Sequence, residues 1–408
     1  MIAREGSEAE AETDAIGRAV QVIRKHLGMD VAYVSEFVGD RTIFREVDAP
    51  GFEGVIKAGD SQPLDDVYCR KILNGTLPEL MPDTSKVPGA AAMPITAAVP
   101  IGAHLSVPIR LPDGELYGMF CCLSSKPDDS LNERDHKMMK AFSELAAFEI
   151  DRKVKDQRES AAKAARIQSI LDTGLIDIFH QPVCELDTRR PVGTEALSRF
   201  NCEPKRSPDK WFAEADEVDQ RVALEIAAIV AALPTLEVLP ADNFLCLNVS
   251  PKTLLEPKLH AVLMAAPMHR LVIEITEELP IVDYDVARAA LAPLREKGLR
   301  LAVDDAGAGH ASLKHIFQLN PHIIKFDMSL TRDLDRDSVR QILIGALVAF
   351  ASKTGSLIIA EGVETEAELA ALSALGVSLG QGYLLGRPAA ATAPLPMRAE
   401  PAIFRKAS

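Results

Sequence analysis

The chain has 408 residues, of which 47% are hydrophobic and 25% are charged. These ordinary globular values predict about two to three domains and exclude a fibrous, collagen-like or wholly disordered chain. The formal net charge of −14 argues against general electrostatic binding to long nucleic acid or to an anionic membrane surface.

No segment approaches the roughly 20 apolar residues that cross a bilayer, and the acidic N-terminal segment lacks the apolar stretch of a signal peptide. We therefore expect a soluble, cytoplasmic protein. Six cysteines are scattered along the chain without a Cys-x-x-Cys pair, which argues against a disulfide framework and a thiolate zinc site.

Residues 13–150 alternate helical and strand patterns and predict a mixed α+β domain. Apolar residues recur at helical spacing at Ile16, Val20, Ile23 and Leu27. Two β-rich runs, 105–111 and 117–123, flank the turn Pro112-Asp113-Gly114 and predict a hairpin, because glycine accepts positive φ.

A long helix is predicted over about 132–170. Its apolar stripe fades in the polar, alanine-rich stretch that follows residue 150, so we interpret 151–165 as a helical linker. Such a helix either carries rotation or dimer contacts between domains, or is a solvated spacer.

From residue 174 onward, short β-rich runs alternate with helical segments. The predicted strands are 193–197, 244–249, 271–275, 299–303, 323–326 and 356–359. The predicted helices are 222–233, 286–296, 339–353 and 366–375, the last ended by Gly376. Repeated βα units favour a parallel barrel or a doubly wound sheet, and the lack of a glycine-rich phosphate loop disfavours a nucleotide-binding sheet.

Each predicted strand ends in, or is followed by, a residue that could bind a metal or transfer a proton. These residues are Glu195, Asn248, Glu274, Glu277, Asp304, Asp305, Lys325 and Glu361. In a barrel the carboxyl ends of the strands share one mouth, where so many acids would repel one another unless cations lay between them. An all-oxygen donor set without histidine indicates Mg²⁺ or Mn²⁺ and is typical of a two-metal phosphoester site.

Each of these residues also has a simpler interpretation. A single acid after a strand is more often a helix cap or a surface group, Asn248 could cap the next helix, and Lys325 could lie on the surface. Convergence of the whole set favours the metal site. Asp304 and Asp305 can share that site only if the strand ends there, and the glycine-rich sequence after Asp305 would provide the exit.

The segment 166–388 resembles the EAL-domain cyclic di-GMP phosphodiesterases. The motifs are Gln181-Pro182-Val183, Glu195-Ala196-Leu197-Ser198-Arg199, Leu247-Asn248-Val249-Ser250, Glu274-Ile275-Thr276-Glu277, Asp304-Asp305, Lys325-Phe326-Asp327, Glu361-Gly362-Val363-Glu364-Thr365 and Gln381-Gly382-Tyr383. The resemblance implies a TIM-like α/β barrel over 166–408 and metal-dependent hydrolysis of cyclic di-GMP to linear 5'-pGpG.

The resemblance also implies roles for individual residues. The implied metal ligands are Glu195, Asn248, Glu274, Asp304, Asp305 and Glu361, and the implied substrate contacts are Gln181, Arg199, Asp327 and Gln381. Lys325 would position or activate the attacking water, Glu361 would act as ligand or general base, and Glu277 would hold the loop after Asp305. The family's barrels commonly pair, which implies a homodimer.

The loop after the paired aspartates departs from the family pattern. Ala306, Ala308, His310 and Ala311 replace residues of the usual Asp-Phe-Gly-Thr-Gly-Tyr-Ser-Ser sequence, and Ser198 replaces a leucine. Every implied metal ligand is retained, which favours catalysis over a silent cyclic di-GMP receptor. A scaffold that acts only through its helix and first domain is disfavoured by the same acids.

Residues 13–150 resemble a GAF sensor domain. The resemblance rests on Asp66-Val67-Tyr68-Cys69-Arg70, Leu77-Pro78, Pro82-Asp83-Thr84, the segment Gly102 to Pro108 and the hairpin. It implies an unknown small-molecule or redox input. Cys69 and His104 could form a thiol sensor or bind haem, but a buried cysteine and a hydrogen-bonded histidine are favoured, so no cofactor is assigned there.

Overall fold

The computed structural model describes the backbone of residues 5–275, 281–306 and 311–390, and the side chains in those ranges except for residues 5–14, 311 and 312. The chain forms two compact units, Met1–Glu159 and Ser160–Ser408. Within the described residues, no helix combines the length and the apolar character needed to span a membrane.

The first unit is built on a six-stranded antiparallel sheet. Its strands are β1 Val31–Val38, β2 Arg41–Asp48, β3 Ser61–Pro63, β4 Leu80–Met81, β5 Ala103–Arg110 and β6 Leu116–Ser124. They lie in the order β3-β2-β1-β6-β5-β4 across the sheet. Its helices are α1 Glu5–Leu27, α2 Cys69–Leu73, α3 Pro88–Ala91, α4 Pro94–Ala98 and the first part of α5 Glu133–Thr173, with a short 3-10 turn at Thr84–Lys86.

Both faces of this sheet are buried. Residues of α1 and α5, such as Val20 and Met139, share one apolar core with the sheet, and Tyr68, Cys69 and Met93 belong to the core on the other side. The predicted hairpin is confirmed: β5 and β6 pair antiparallel, and Gly114 in the turn has a φ of 89°. The mixed α+β prediction is therefore correct.

Helix α5 runs without interruption through the stretch interpreted as a linker. Its residues up to Glu159 belong to the first unit, and those from Ser160 onward belong to the second. The division into 13–150, 151–165 and 166–408 stays a prediction.

The second unit alternates strands and helices. Its strands are β7 Ile176–Glu185, β8 Pro191–Phe200, β9 Phe244–Asn248, β10 Leu271–Ile275, β11 Arg300–Ala306, β12 Ile323–Phe326, β13 Leu357–Ala360, β14 Leu379–Gly380 and β15 Ala389–Ala390. Its helices are α6 Pro208–Glu217, α7 Arg221–Ala232, α8 Thr235–Val238, α9 Pro251–Leu254, α10 Pro257–Met264, α11 Tyr284–Glu296, α12 Ala311–Leu319, α13 Met328–Thr331, α14 Ser338–Thr354 and α15 Glu366–Ala374, with 3-10 turns at Met268–Arg270 and Leu334–Arg336.

Strands β7 to β14 form a closed barrel, because β14 pairs with β7 in addition to β13. Strand β7 runs antiparallel to β8 and β14, and the remaining neighbours pair parallel. The barrel prediction is confirmed and the doubly wound alternative is wrong. Strands β7 and β14, which complete the barrel, were not among the predicted strands.

Side chains along each strand point alternately into the barrel and outward to the surrounding helices. One apolar cluster contains Val183, Val192, Phe244, Cys246, Val272, Ala302, Ile323, Ile359 and Leu379. The neighbouring strand positions, such as Ile273 and Ile324, pack in the clusters that include the helices. Successive side chains alternate between faces, so the residue two positions beyond an interior one points to the same side. Glu274 and Lys325 follow Val272 and Ile323 in this way.

Candidate functional site

A single buried ammonium group lies at the centre of the barrel mouth. Lys325, at 1% exposure, places its Nζ 2.6 Å from Glu361 Oε1 and 2.9 Å from Glu274 Oε2. The same Nζ lies 3.2 Å from Asp304 Oδ1 and 3.6 Å from Glu195 Oε2. Four acids from four different strands or strand ends therefore surround one lysine, and the interpretation of Lys325 as a surface residue is wrong.

Burial and mutual repulsion control the protonation of this cluster. Burial raises the pKa of Glu361 to about 8, and burial with the nearby Glu195 and Asp304 charges raises the pKa of Glu274 well above its ordinary value. Burial opposes the charge on Lys325, but the four surrounding carboxylates outweigh it and hold the lysine pKa well above its usual range. Without a cation, the site therefore favours a charged lysine and opposes ionisation of Glu274 and Glu361.

Glu195 is oriented by two side-chain amides. Asn248 Nδ2 donates to Glu195 Oε1 at 2.9 Å, and Gln381 Nε2 donates to Glu195 Oε2 at 2.7 Å. Burial acts against the charged form of Glu195, but Lys325 and these two amides outweigh burial and lower its pKa. Gln381 Nε2 also lies 3.1 Å from Gln181 Oε1, so Gln181 reaches the cluster through Gln381.

Asp304 and Asp305 lie at one site, but not because the strand ends in front of a glycine-rich exit, as the sequence predicted. Strand β11 continues to Ala306 instead of ending before the aspartates. Its pairing with β12 is irregular between Val303 and Ala306, and Asp305 has a φ of 55°. This left-handed residue turns the adjacent side chains toward the same side, so Asp304, Asp305 and Glu361 offer oxygens within 4.8 Å of one another.

These oxygens fit a divalent cation of the Mg²⁺ or Mn²⁺ type. Among the described residues, Oε1 of the fully buried Glu274 has no hydrogen-bond partner. An unpaired buried carboxylate oxygen is costly, and a cation would satisfy it. The donor set of carboxylates and the Asn248 amide is the chemistry that hard cations prefer.

A cavity of about 330 Å³ adjoins this cluster. Arg199, Asn248 and Ser250 line it together with residues of α6 and α7. The Arg199 guanidinium lies 5.3 Å from the centroid of the Phe179 ring. The mouth therefore combines an acidic centre with a neighbouring concave space that contains an arginine.

Several predicted residues have other local partners. Ser250, and not Asn248, is the N-cap of α9, so the capping alternative for Asn248 is wrong. Asp327 is the N-cap of α13 and accepts a hydrogen bond from Ser329 N at 2.9 Å. Glu277, His310 and Ala308 lie outside the described residues, so the role of Glu277 stays a prediction.

Sequence reasoning missed Glu225, whose carboxylate organises the cavity wall. Its Oε2 accepts from both the backbone N and the Oγ of Ser250, at 3.0 and 2.8 Å, and its Oε1 accepts from Arg221 Nε at 2.7 Å. Glu225 is the only charged residue in the apolar helix 222–233. That isolated charge is the signal that could have identified it.

Comparison with known families agrees with this geometry. Residues 164–388 match the family model described as EAL domain, and residues 9–151 match the model described as GAF domain.

Curated relatives include proteins named as cyclic di-GMP phosphodiesterases. The "Probable cyclic di-GMP phosphodiesterase PdeD" of Escherichia coli (strain K12) is 30% identical over 224 residues, covering 52% of this chain and 41% of that protein. The "Cyclic di-GMP phosphodiesterase PA2567" of Pseudomonas aeruginosa is 31% identical over 223 residues, covering 52% of this chain and 38% of that protein. The chain thus spans well under half the length of these relatives.

Solved structures show the same barrel. The structure titled "PaMucR Phosphodiesterase, c-di-GMP complex" superposes with a TM-score of 0.51 at 25% identity, covering 56% of this chain and 98% of that chain. The Xanthomonas citri FimX EAL domain in complex with c-diGMP has a TM-score of 0.52 at 20% identity, covering 58% and 96%, and this likeness concerns the fold alone.

The acidic cluster predicts divalent-cation binding that depends on Asp305. We expect Mn²⁺ to bind the purified protein, and Asp305→Asn to weaken binding about tenfold or more because one carboxylate charge is lost. Electron paramagnetic resonance of free Mn²⁺ measures both affinities. Asp327→Asn is the matched control, since Asp327 caps a helix near the mouth. Equal Mn²⁺ affinity of Asp305→Asn and the wild type would exclude Asp305 as a ligand.

Proposed function

The chain belongs to the EAL domain family, and from that premise we propose that it hydrolyses one phosphodiester bond of cyclic di-GMP to give linear 5'-pGpG. Mg²⁺ or Mn²⁺ is the proposed cofactor, held by Glu195, Asn248, Glu274, Asp304, Asp305 and Glu361. The names of the curated relatives support the reaction, and the likeness to a dinucleotide-bound phosphodiesterase structure supports the substrate.

The observation that carries the proposal is the charge balance of the mouth. Five carboxylates face one ammonium group there: four lie around Lys325, and Asp305 joins Asp304 and Glu361. The fully ionised cluster has four excess negative charges, which two divalent cations would match. Bound cations of this type supply Lewis acidity toward a phosphate and lower the pKa of water.

Residues of the chain position the proposed metal ligands and accept the proton of the attacking water. Lys325 holds carboxylate oxygens of Glu274, Asp304 and Glu361 by direct contact. Asn248 and Gln381 fix Glu195 from two sides. Glu361, whose Oε1 lies 2.6 Å from Lys325 Nζ, is the proposed acceptor of the proton of the attacking water once cations favour its ionised form.

Substrate contacts are proposed on the cavity side of the mouth. Arg199, which lines that cavity, supplies a positive charge for a phosphate of the dinucleotide. Gln181 and Gln381 are further proposed contacts beside Glu195, because Gln381 Nε2 donates to both Gln181 and Glu195. Attack of water forms a new P–O bond and breaks the bond to the 3' oxygen, so the phosphate stays on the 5' carbon of the product.

Replacement of Glu195 separates the proposed enzyme from a silent receptor. We expect the wild type to convert cyclic di-GMP to 5'-pGpG with Mg²⁺ or Mn²⁺, and Glu195→Ala to lose about 100-fold or more of kcat with its fold intact. Chromatography of the nucleotides measures turnover, and circular dichroism checks the fold. Glu366→Ala, which removes an exposed acid of α15, should retain activity.

The competing function is a receptor that binds cyclic di-GMP without cleaving it. Calorimetry that shows tight binding to the wild type, with no product under either cation, would establish the receptor and refute the enzyme. Wild-type turnover by Glu195→Ala would remove Glu195 from the ligand set.

Regulation by the first unit is part of the proposal. A cavity of about 80 Å³ lies in this unit, lined mainly by apolar side chains and by Tyr68, Cys69 and His104. Burial lowers the pKa of His104 to about 4, so the imidazole is neutral at pH 7. Its Nδ1 has no hydrogen-bond partner among the described residues, so the expected hydrogen-bonded histidine is not found for that atom. The mainly apolar lining of the cavity suits a small neutral molecule.

Filling this cavity should change turnover. We expect xenon to enter the wild-type cavity and to shift resonances of its lining residues in NMR spectra. Val99→Phe should abolish the xenon response and change cyclic di-GMP turnover, because the ring occupies the ligand's space. Val38→Phe, on an exposed strand position outside the cavity, is the control. A Val99→Phe protein without the xenon response but with wild-type turnover would contradict regulation through this cavity.

A homodimer is proposed through an apolar face of the barrel. Helices α12 and α14 expose Leu313, Phe317, Val339, Ile342 and Leu343, and Phe317 packs edge-on against Phe350 at 5.7 Å, which joins the two helices into one surface. Contiguous exposed apolar side chains of this size are typical of interaction surfaces. A second copy related by a two-fold axis presents the same surface and buries both.

Sedimentation should report this association. We expect the wild type to sediment as a dimer and Ile342→Glu to shift it toward monomer, because the substitution buries two unpaired charges in a two-fold interface. Val238→Glu carries the same change at another exposed site, in α8, and should leave the dimer intact. A dimer that persists in Ile342→Glu would place the interface elsewhere.

A further inference from the structure

Helix α6 presents one side to the end of α5 and another to the cavity of the barrel mouth. Trp211, Glu214 and Ala215 are its buried residues. Pro208 and Phe212, one turn apart, line the cavity that also contains Arg199. A change in the position of α6 therefore changes the wall of the cavity.

An ion pair connects α5 to the buried side of α6. Arg166 Nε donates to Glu214 Oε1 at 2.9 Å, and Arg206 Nη1 donates to Glu214 Oε2 at 2.7 Å. Burial of Glu214 acts against its charge, but hydrogen bonds from Arg206 and Arg166 outweigh it and lower the pKa of Glu214 to about 2. The carboxylate is ionised at neutral pH and is shared between the two arginines.

Apolar contacts extend this connection to Arg199. Ile167 and Ile170 of α5 share a buried cluster with Trp211 and Phe200. The Phe200 ring lies 5.8 Å from the Trp211 ring and 5.5 Å from the Phe212 ring. Phe200 directly follows Arg199 in β8. Packed side chains of this kind can transmit a displacement, because a dense core does not absorb it.

We propose that Arg166 is a positioning residue: through Glu214 it fixes α6, and through α6 it sets the cavity wall and the place of Arg199. Displacement of α5 along or about its axis reaches the substrate cavity by this route. The identity of the ligand rests on the proposed function. The route ends at Arg199, a proposed substrate contact, and none of its contacts involves the acids around Lys325, so the inference predicts an effect on substrate affinity and little effect on the chemical step.

Substitution of Arg166 in the full-length protein tests this route. Arg166→Met removes the link but leaves Glu214 paired with Arg206, so the fold is retained. We expect the KM for cyclic di-GMP to rise about threefold to tenfold, with kcat within about twofold of wild type. Arg166→Lys keeps the cation and should restore most of the affinity. Lys163→Met is the matched control, since Lys163 joins the same two helices through Glu217, at 2.7 Å, and that carboxylate is exposed.

Trp211 provides a readout that does not depend on the dinucleotide. It is the only tryptophan of the chain, and the Arg206 guanidinium lies 3.7 Å above its ring. Loosening of α6 in Arg166→Met should move its fluorescence to longer wavelength, whereas Lys163→Met should match the wild type.

The two measurements separate the possible failures. An Arg166→Met protein with wild-type emission, or with changed emission but an unchanged KM, overturns the inference, and an equal loss of affinity in Lys163→Met does so as well. If the wild type neither binds nor hydrolyses cyclic di-GMP, the proposed function fails. The emission comparison then still decides whether Arg166 sets the position of α6: a shift supports the inference and no shift overturns it.

Discussion

The arrangement of the second unit depends on one buried ammonium group surrounded by acids. Lys325 contacts carboxylates from β8, β10 and β11 and from the end of β13, so a single side chain links five strands of the barrel. Removing an ion from water costs several kcal/mol, and only close, well-placed opposite charges compensate for that cost. The barrel supplies those charges because all its parallel strands end at one mouth.

Much of this site was predictable because side chains two residues apart in a β-strand point to the same face of the sheet. Glu274, Lys325 and Glu361 each follow an inward apolar residue by two positions, so strand assignment and the barrel geometry together place them at one end. The central position of Lys325 was not predictable, since it depends on how far a long side chain reaches across the barrel. Strands β7 and β14 were missed for local reasons: Pro182 and polar neighbours interrupt the pattern in β7, and β14 has two residues.

The backbone conformation of Asp305 could not be predicted from the alternation of side chains along a strand. Adjacent strand residues face opposite sides, and the sequence offered glycines after Asp305 as the obvious place for a change of direction. The change occurs instead at Asp305 itself, in a left-handed conformation that aspartate tolerates better than most residues. Such strain persists where the surroundings enforce it, and it is common at functional sites. Here it brings a second carboxylate toward Glu361.

The negative net charge of the chain is compatible with an anionic substrate if cations bind to the site no later than the substrate does. A phosphodiester that approaches the ionised acids without cations meets net negative charge, and one ammonium group already engaged with four carboxylates cannot offset it. Burial opposes the ionisation of Glu274 and Glu361, which lowers the repulsion but supplies no positive charge for a phosphate. Two divalent cations would cancel the four excess negative charges, so we expect them to bind before or together with the substrate. The acidic excess that disfavours a long polyanion is therefore compatible with a small phosphodiester at this one place.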